Sequence, residues 1–291
     1  MKTNMVTQLE LLWTTFRPVQ WIKNLVVFAV PVFGLVLDPE VLLDTGLTFI
    51  LFCLAASSIY TINDILDREK DRQNPLKKHR PIAAGKLSIK TGIIAAILLS
   101  TVSLSAGYRY APTLGLILLC YILLQISYSL WLKRRPIIDL LVISAGFVLR
   151  VLSGTVTADT YASSWLLLSM GLLALFLGIE KRKAELQHLP GGNSRSVLHH
   201  YSLSLLSRME SITASAALIV YTLWALEGPR SDWMLLTVPF VVYGIFRYQL
   251  LSEDGEQGED PADLFLKSPS LMLTVLLWGI GSLTILLLTT G

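Results

Sequence analysis

Three aspartates stand at a regular spacing in the segment that follows the second long apolar run. Asp64, Asp67 and Asp71 are related as i, i+3 and i+7, and Asn63 precedes them. On a helix this spacing places all three carboxylates on one face, so we predict that the helix of the apolar run continues through them. Three anions on one stripe repel one another, and carboxylate oxygens suit Mg²⁺ bound to a substrate phosphate. The spacing favours a magnesium site, with Asn63 as a further ligand or donor, over a solvated loop of paired charges.

A cluster of cations follows the aspartates in the same segment. Lys77, Lys78 and Arg80 lie between a proline turn and Pro81. Lysine offers a point charge to a phosphate, and arginine offers a planar pair of donors. Inner-membrane proteins carry such cations on their cytoplasmic side in any case. The position of this cluster directly after an acidic face nevertheless indicates a site for a diphosphate.

The composition of the chain restricts the class of protein that carries these residues. Of the 291 residues, 53% are hydrophobic and only 15% are charged, and the mean hydropathy is +0.59. Soluble domains contain about 25% charged residues, so the composition predicts an integral membrane protein. A net charge of +3 and two cysteines argue against a nucleic-acid-binding protein and a disulfide scaffold.

Nine apolar runs approach the roughly 20 residues that a membrane-spanning helix needs. They cover residues 19–37, 45–62, 89–107, 112–130, 137–156, 163–180, 209–227, 231–250 and 269–289. Small residues recur within them, and small residues let helices approach closely in lipid. We therefore predict an all-α, polytopic membrane bundle of about nine transmembrane helices that forms a single domain over residues 1–291.

The distribution of lysine and arginine predicts the orientation of this bundle. Most of the 24 basic residues fall on one side of the predicted spans, and short loops rich in these residues remain cytoplasmic. We therefore expect a multi-pass protein of the inner (plasma) membrane with a cytoplasmic N-terminus. The loops near residues 63–88 and 181–208 would then share the cytoplasmic face and form the active site there.

The sequence from Asn63 to Asp71 resembles the first motif, N-D-x-x-D-x-x-x-D, of the UbiA superfamily of intramembrane prenyltransferases. Within that superfamily the chain is most similar to the decaprenyl-phosphate phosphoribosyltransferase branch. The stretches that carry this closer likeness are residues 17–24, 63–85, 139–154 and 181–186. The resemblance extends over most of the chain. It implies a UbiA-like helical fold, Mg²⁺ as cofactor, and a role in the synthesis of cell-wall arabinan precursors.

One departure from the superfamily pattern bears on the substrate. Relatives that prenylate aromatic acceptors carry a second motif, D-x-x-x-D, after the sixth helix. Residues 180–185 read Glu-Lys-Arg-Lys-Ala-Glu at that place. Cations in place of aspartates favour a further phosphate group over a second metal ion. A phosphoribosyl transfer supplies such groups, because both the donor's 5-phosphate and the acceptor lipid carry one.

The resemblance implies 5-phosphoribosyl diphosphate (PRPP) as donor, a polyprenyl (decaprenyl) phosphate as acceptor, and release of diphosphate. Asp64, Asp67 and Asp71 would bind Mg²⁺, with Asn63 positioning them as part of the catalytic set. The implied substrate-binding residues are Lys77 and Arg80 for the donor phosphates, Lys181 and Arg182 for the 5-phosphate or the lipid phosphate, Glu185 to orient them or a ribose hydroxyl, and Lys23.

Lys23 and Arg150 fall within apolar runs, where an ionisable residue is a candidate for function. Lys23 is shallow enough to snorkel to the interface, so a substrate role and an anchoring role both remain open. Arg150 lies roughly 20 Å along its helix from the inner edge. For Arg150 we predict a structural partner inside the bundle.

Two other functions are compatible with parts of the sequence. An aromatic or quinone prenyltransferase would use the same aspartates for a prenyl diphosphate, although it normally carries the second aspartate motif. A non-enzymatic membrane transporter would explain the many spans, but we find no paired repeat of interrupted helices. The expected partners are PRPP, the polyprenyl phosphate and the lipid bilayer, without nucleic acid. The sequence leaves the oligomeric state open, a homo-oligomer included.

Overall fold

A computed structural model of the chain describes residues 5–75, 77–188, 196–227, 232–253 and 261–289. Within these ranges the secondary structure is helical, and no strand occurs. The α-helices are α1 (Met5–Phe16), α2 (Ala29–Phe33), α3 (Pro39–Leu66), α4 (Arg68–Gln73), α5 (Ile89–Tyr110), α6 (Pro112–Leu130), α7 (Ile138–Thr157), α8 (Ser164–His188), α9 (Leu203–Glu227), α10 (Val238–Glu253), α11 (Pro261–Lys267) and α12 (Pro269–Thr289).

Eight helices in the described part of the chain are long and apolar enough to cross a membrane. Seven of them are α3, α5, α6, α7, α8, α9 and α12, and the eighth is α10 together with the 3-10 turn before it, Asp232–Thr237. The all-α, multi-pass architecture predicted from the sequence is thus confirmed. The cytoplasmic position of the N-terminus stays a prediction.

The first of the nine predicted runs takes a different form. A 3-10 helix, Pro18–Phe28, leads directly into the short helix α2. The combined element has too few residues to count as a spanning α-helix. However, a 3-10 helix rises about 2.0 Å per residue and an α-helix about 1.5 Å. The element therefore extends over roughly 30 Å, close to the thickness of a bilayer core.

Neighbouring helices of the bundle pack mainly against their sequence neighbours. α8 packs against both α7 and α9, and α3 packs against α5, α6 and the 3-10 helix. Their contacts bury small and apolar side chains of α3, including Ala55, Ala56 and Ile59. Large apolar side chains on α5 and α12 remain exposed, among them Ile94, Leu98 and Leu276. In a membrane protein such faces contact the lipid tails.

Arg150 on α7 has the internal partners that we predicted for it. Its Nε donates to Asn24 Oδ1 at 2.7 Å, and its Nη2 donates to Tyr121 OH at 2.8 Å. Its Nη1 donates to the carbonyl oxygen of Gly146 at 2.8 Å. The guanidinium also lies over the ring of Tyr121, 4.7 Å from its centroid. Arg150 therefore links α7, α6 and the 3-10 helix through hydrogen bonds that satisfy a buried cation.

The 3-10 helix comes so close to α7 that the contact requires a glycine. A Cβ atom added to Gly154 would lie 2.4 Å from the carbonyl oxygen of Val27 and 3.2 Å from Cβ of Val30. Both obstacles are held by the backbone and cannot rotate away. The glycine lets the 3-10 helix pack directly on α7, close to the hydrogen bond between Asn24 and Arg150.

We expect that Gly154→Ala lowers the stability of the protein by about 1–3 kcal/mol, because the added methyl group forces the two elements apart. Thermal unfolding of the detergent-purified protein measures this loss. Gly281→Ala on α12 is the matched control, since a Cβ there meets nothing within 4 Å. Equal stability of the two variants would contradict the close approach of α7 and the 3-10 helix.

Candidate functional site

The acidic segment is not the continuous helix that the aspartate spacing predicts. α3 ends at Leu66, and α4 begins at Arg68. Asp67 between them has φ −95° and ψ 8°, outside the α-helical values. Its amide still donates to the carbonyl of Asn63 at 2.9 Å, and its carbonyl still accepts from the amide of Asp71 at 2.8 Å. The prediction of one continuous helix through the three aspartates is therefore wrong at Asp67, where one irregular residue separates α3 from α4.

Asp64 and Asp71 remain together because they share one arginine. Nη1 of Arg80 lies 3.2 Å from Oδ1 of Asp64 and 2.7 Å from Oδ2 of Asp71. Arg17 forms a second ion pair with Asp64. Both carboxylates are buried, whereas each arginine side chain is 27% exposed. Arg80, which was predicted to bind a donor phosphate, thus lies directly beside the two aspartates.

Arg17 was missed as a site residue by the sequence reasoning. It lies between α1 and the 3-10 helix with φ 54° and ψ 64°, in the left-handed region. Its guanidinium lies over the ring of Tyr60, 5.2 Å from the centroid. Left-handed backbone costs a non-glycine residue roughly 1–2 kcal/mol. The ion pair with Asp64 and the stacking on Tyr60 offset this cost. The sequence feature that could have identified Arg17 is its position as a lone arginine directly before an apolar run.

Asp67 has a partner of its own on the loop between α6 and α7. Nζ of Lys133 lies 2.7 Å from both carboxylate oxygens of Asp67. Lys133 belongs to a 3-10 turn, Leu132–Arg134, that follows α6 directly. The sequence reasoning used Lys133 only to orient the protein in the membrane. The tertiary fold brings Lys133 into contact with an aspartate of the motif that lies 66 residues earlier in the chain.

Arg182 on α8 lies inside a buried network. Its Nε donates to Oδ2 of Asp139 at 2.9 Å, and its Nη1 donates to Oε2 of Glu185 at 2.7 Å. Its Nη2 donates to Tyr128 OH at 3.1 Å. Arg182 is fully buried, and Asp139 and Glu185 are nearly so. Arg182 was assigned to a substrate phosphate, and Glu185 was assigned to orient the cations or a ribose hydroxyl. In the structure the two residues pair with each other within the protein.

The next residue on α8 contacts a different part of the bundle. Nζ of Lys183 lies 2.8 Å from Glu210 on α9, 3.2 Å from Glu253 on α10 and 3.9 Å from Glu180. Consecutive residues on a helix point about 100° apart. Lys183 therefore links α8 to α9 and α10, while Arg182 links α8 to α7.

The other predicted substrate residues lie on the elements that surround these clusters. Lys23, on the 3-10 helix, and Lys181, on α8, are both half-buried. Asn63, near the end of α3, is half-buried as well. Lys77 is half-buried in the loop after α4, and its amide donates to Oδ1 of Asn74 at 3.2 Å.

The loop between α6 and α7 ends in a strained turn that Tyr201 holds. Ile137 has φ 70° and ψ −47°, and the amide of Ile138 donates to the carbonyl of Pro136 at 2.8 Å. These are the features of a γ-turn with positive φ, which is rare and strained. The hydroxyl of Tyr201 accepts from the amide of Ile137 at 2.6 Å and donates to Asp139 at 2.9 Å. Burial raises the pKa of Tyr201 to about 12, so the hydroxyl keeps the proton that it donates.

The donor set of the acidic segment fits a magnesium ion that also binds a substrate. Within the described ranges, no three His, Cys, Asp or Glu side chains form a preassembled metal cage. Mg²⁺ characteristically binds through one or two carboxylates, water and substrate phosphates instead of an all-protein cage. Asp64 and Asp71, which converge on one cation, are a carboxylate pair of this kind.

Comparisons with known proteins show the family to which the chain is related. Residues 25–268 match the UbiA prenyltransferase family. The chain is 36% identical over 281 residues to the decaprenyl-phosphate phosphoribosyltransferase of Mycolicibacterium smegmatis, with coverage of 90% of this chain and 88% of the relative. It is 35% identical over 273 residues to the enzyme of the same name from Mycobacterium tuberculosis, with coverage of 90% and 89%.

The fold is also that of a solved structure. A UbiA homologue from Archaeoglobus fulgidus bound to GPP and Mg²⁺ superimposes with a TM-score of 0.73 at 17% sequence identity. The superposition covers 94% of this chain and 99% of the homologue. A prenyltransferase family is a family of enzymes, so the prediction of a membrane transferase is confirmed over that of a transporter. The chain belongs to the UbiA prenyltransferase family.

Proposed function

We propose that this protein transfers 5-phosphoribose from PRPP to a polyprenyl phosphate and releases diphosphate. The observation that carries the proposal is the 35–36% identity, over nine-tenths of the chain, to two relatives named decaprenyl-phosphate phosphoribosyltransferase. The similarity covers 88–89% of the length of those relatives. The lipid product would serve as a precursor of cell-wall arabinan.

The charges of the site support two phosphate-bearing substrates. Arg17, Arg80 and Lys133 each contact an aspartate of the motif and can exchange that contact for a phosphate oxygen. Lys77 and Lys23 would add contacts to the donor phosphates. Lys181 would contact the 5-phosphate or the lipid phosphate.

Arg182 and Glu185 would contribute to this site by fixing the end of α8. Their mutual ion pair and the bond of Arg182 to Asp139 hold α8 against α7. Lys181 precedes Arg182 on the same helical turn, so the network sets the direction in which Lys181 projects. This role keeps both residues in the substrate site without requiring a buried guanidinium to reach the phosphate.

Asp64, Asp67 and Asp71 would hold Mg²⁺, and Asn63 would position them. A bound Mg²⁺ neutralises charge on a leaving diphosphate. The carboxylates fit this use because their present partners are cations: Arg17, Arg80 and Lys133.

The reaction needs charge stabilisation more than proton transfer. The bond between the anomeric carbon and the diphosphate breaks, and an oxygen of the acceptor phosphate forms the new bond to that carbon. A phosphate monoester is already an anion near neutral pH, so no strong general base is required. The arginines and lysines would act by positioning both substrates and by stabilising the departing diphosphate. The site would face the cytoplasm from the inner membrane, where water-soluble PRPP has access to it.

The test is a transfer assay with the detergent-purified protein and Mg²⁺. One reaction contains labelled PRPP and polyprenyl phosphate, and a second contains labelled prenyl diphosphate and an aromatic acid. We expect label in the lipid fraction of the first reaction alone. We also expect EDTA to abolish this transfer, because it removes the Mg²⁺ that the reaction requires.

The second reaction is the control that separates the two enzymatic alternatives. Product there and none in the first reaction would contradict the proposal. It would identify an aromatic prenyltransferase in which Glu180 and Glu185 replace the usual second pair of aspartates.

A further inference from the structure

The loop between α6 and α7 combines backbone strain with two charged contacts. Ile137 is a β-branched residue with φ 70°, a conformation that such residues avoid. Strained residues persist where the surrounding structure holds them, and they cluster at functional sites. The loop lies between two clusters of the candidate site, since Lys133 at its start contacts Asp67 and Asp139 at its end contacts Arg182.

Tyr201 is the side chain that holds the strained turn from outside. It follows the 3-10 helix Ser196–His200 and lies 64 residues from Ile137 in the sequence. Its hydroxyl accepts the amide hydrogen of Ile137 and donates to Asp139, so one oxygen connects the turn to the buried network of Arg182. Its ring packs in a cluster with Leu140, Ile179 and Leu198. The ring position therefore does not depend on the hydroxyl.

The strained turn at Ile137 determines the position of Lys133. Three residues separate Lys133 from the strained Ile137, and one of them, Pro136, stiffens the segment. Without the bond to Tyr201 the amide of Ile137 loses its partner, and the turn can relax toward a negative φ. Such a change in one backbone angle redirects the segment before it, and Lys133 with it.

We propose that Tyr201 is a positioning residue of the active site, which locks the loop between α6 and α7 so that Lys133 lies on Asp67. The role of Lys133 toward the donor diphosphate rests on the proposed function. The locking of the loop does not, because it follows from the hydrogen bonds alone. Tyr201 acts here through its hydroxyl, at a distance from any reacting atom.

The first test is limited trypsin digestion of the purified full-length protein, which requires no activity. Trypsin cleaves after Lys133 and Arg134 only when the loop opens. Loss of one hydrogen bond corresponds to about a three- to tenfold change in an opening equilibrium. We expect Tyr201→Phe to speed cleavage at these two sites by about that factor. Cleavage after the exposed Lys78 serves as an internal standard and stays unchanged.

The second test is a kinetic double-mutant cycle with Lys133. Lys133→Met is expected to raise the KM for PRPP about tenfold or more, since a charged contact is lost. Tyr201→Phe is expected to raise the same KM about threefold with kcat nearly unchanged. The double variant should match Lys133→Met alone, because residues that act through each other are not additive. A general loss of folded protein would lower the apparent kcat and leave the KM unchanged.

Tyr161→Phe is the matched control, because that side chain is 98% exposed and no change is expected in either test. Equal cleavage rates for Tyr201→Phe and the unaltered protein would overturn the proposal. Strictly multiplicative effects on the KM would also overturn it, since Tyr201 would then act independently of Lys133. Faster cleavage in a protein that transfers no phosphoribose would confirm the locking of the loop and reject the proposed function alone.

Discussion

Asp64→Asn is expected to reduce Mg²⁺-dependent release of diphosphate from PRPP by a factor on the order of 10²–10³. The substitution keeps the size of the side chain and removes the buried charge that Arg17 and Arg80 share. Loss of a group that organises charge stabilisation in an active site typically has an effect of this size. The measurement is initial-rate release of diphosphate at saturating PRPP and polyprenyl phosphate.

The control for this prediction comes from the same segment. Glu69→Gln removes a carboxylate whose side chain is 70% exposed and which pairs with Arg68 and Arg72 at the surface. We expect its activity to stay within about twofold of the unaltered protein, because exposed ion pairs contribute little. Asp67→Asn, at a site that is 30% exposed, tests the same metal-binding role with less risk to folding. Full activity of both aspartate variants would refute a metal site at this motif.

Arg182→Met is expected to lower the stability of the protein by about 3–5 kcal/mol. Arg182 is fully buried, and its removal leaves Asp139 and Glu185 buried without their shared cation. Breaking a buried ion pair from one side has a cost of this order because the remaining charge is not compensated. For a chain of this size the loss corresponds to a decrease in Tm of roughly 6–20 °C. Thermal unfolding in detergent measures it.

Arg134→Met is the matched control for Arg182→Met. Arg134 is exposed in the loop between α6 and α7, and surface substitutions usually change stability by about 0.5 kcal/mol or less. An unchanged Tm of Arg182→Met, together with a large increase in the KM for a substrate, would contradict the structural role. That result would restore the role inferred from the sequence, in which Arg182 contacts a substrate phosphate directly.

The membrane architecture follows from local properties of the chain. The length and hydropathy of the apolar runs predict the spanning helices, because a helix in lipid must satisfy its own backbone and present apolar side chains. The run at residues 19–37 takes an unexpected form, a 3-10 helix followed by α2. The element also packs in close contact with Gly154 of α7, and a hydropathy pattern does not contain that contact.

The candidate site is predictable in part. The spacing of Asp64, Asp67 and Asp71 identified the acidic cluster. Arg80 follows these residues closely in the sequence and forms ion pairs with Asp64 and Asp71. The break at Asp67 was not predictable from spacing, since a period of 3.6 residues holds only while the helix continues. The cations Arg17 and Lys133 are distant in sequence from the aspartates they contact.

The sequence by itself therefore determined the class of protein, the helices and the acidic motif, because each depends on residues within a few turns of one another. The tertiary structure determined which charged side chains form ion pairs with each other. It directed Arg182 toward Asp139 and Lys183 toward Glu210, although the two cations are adjacent in the chain. Ion pairs between helices depend on the rotation of each helix within the bundle. That rotation is set by packing over the whole interface, which no local pattern of residue types records.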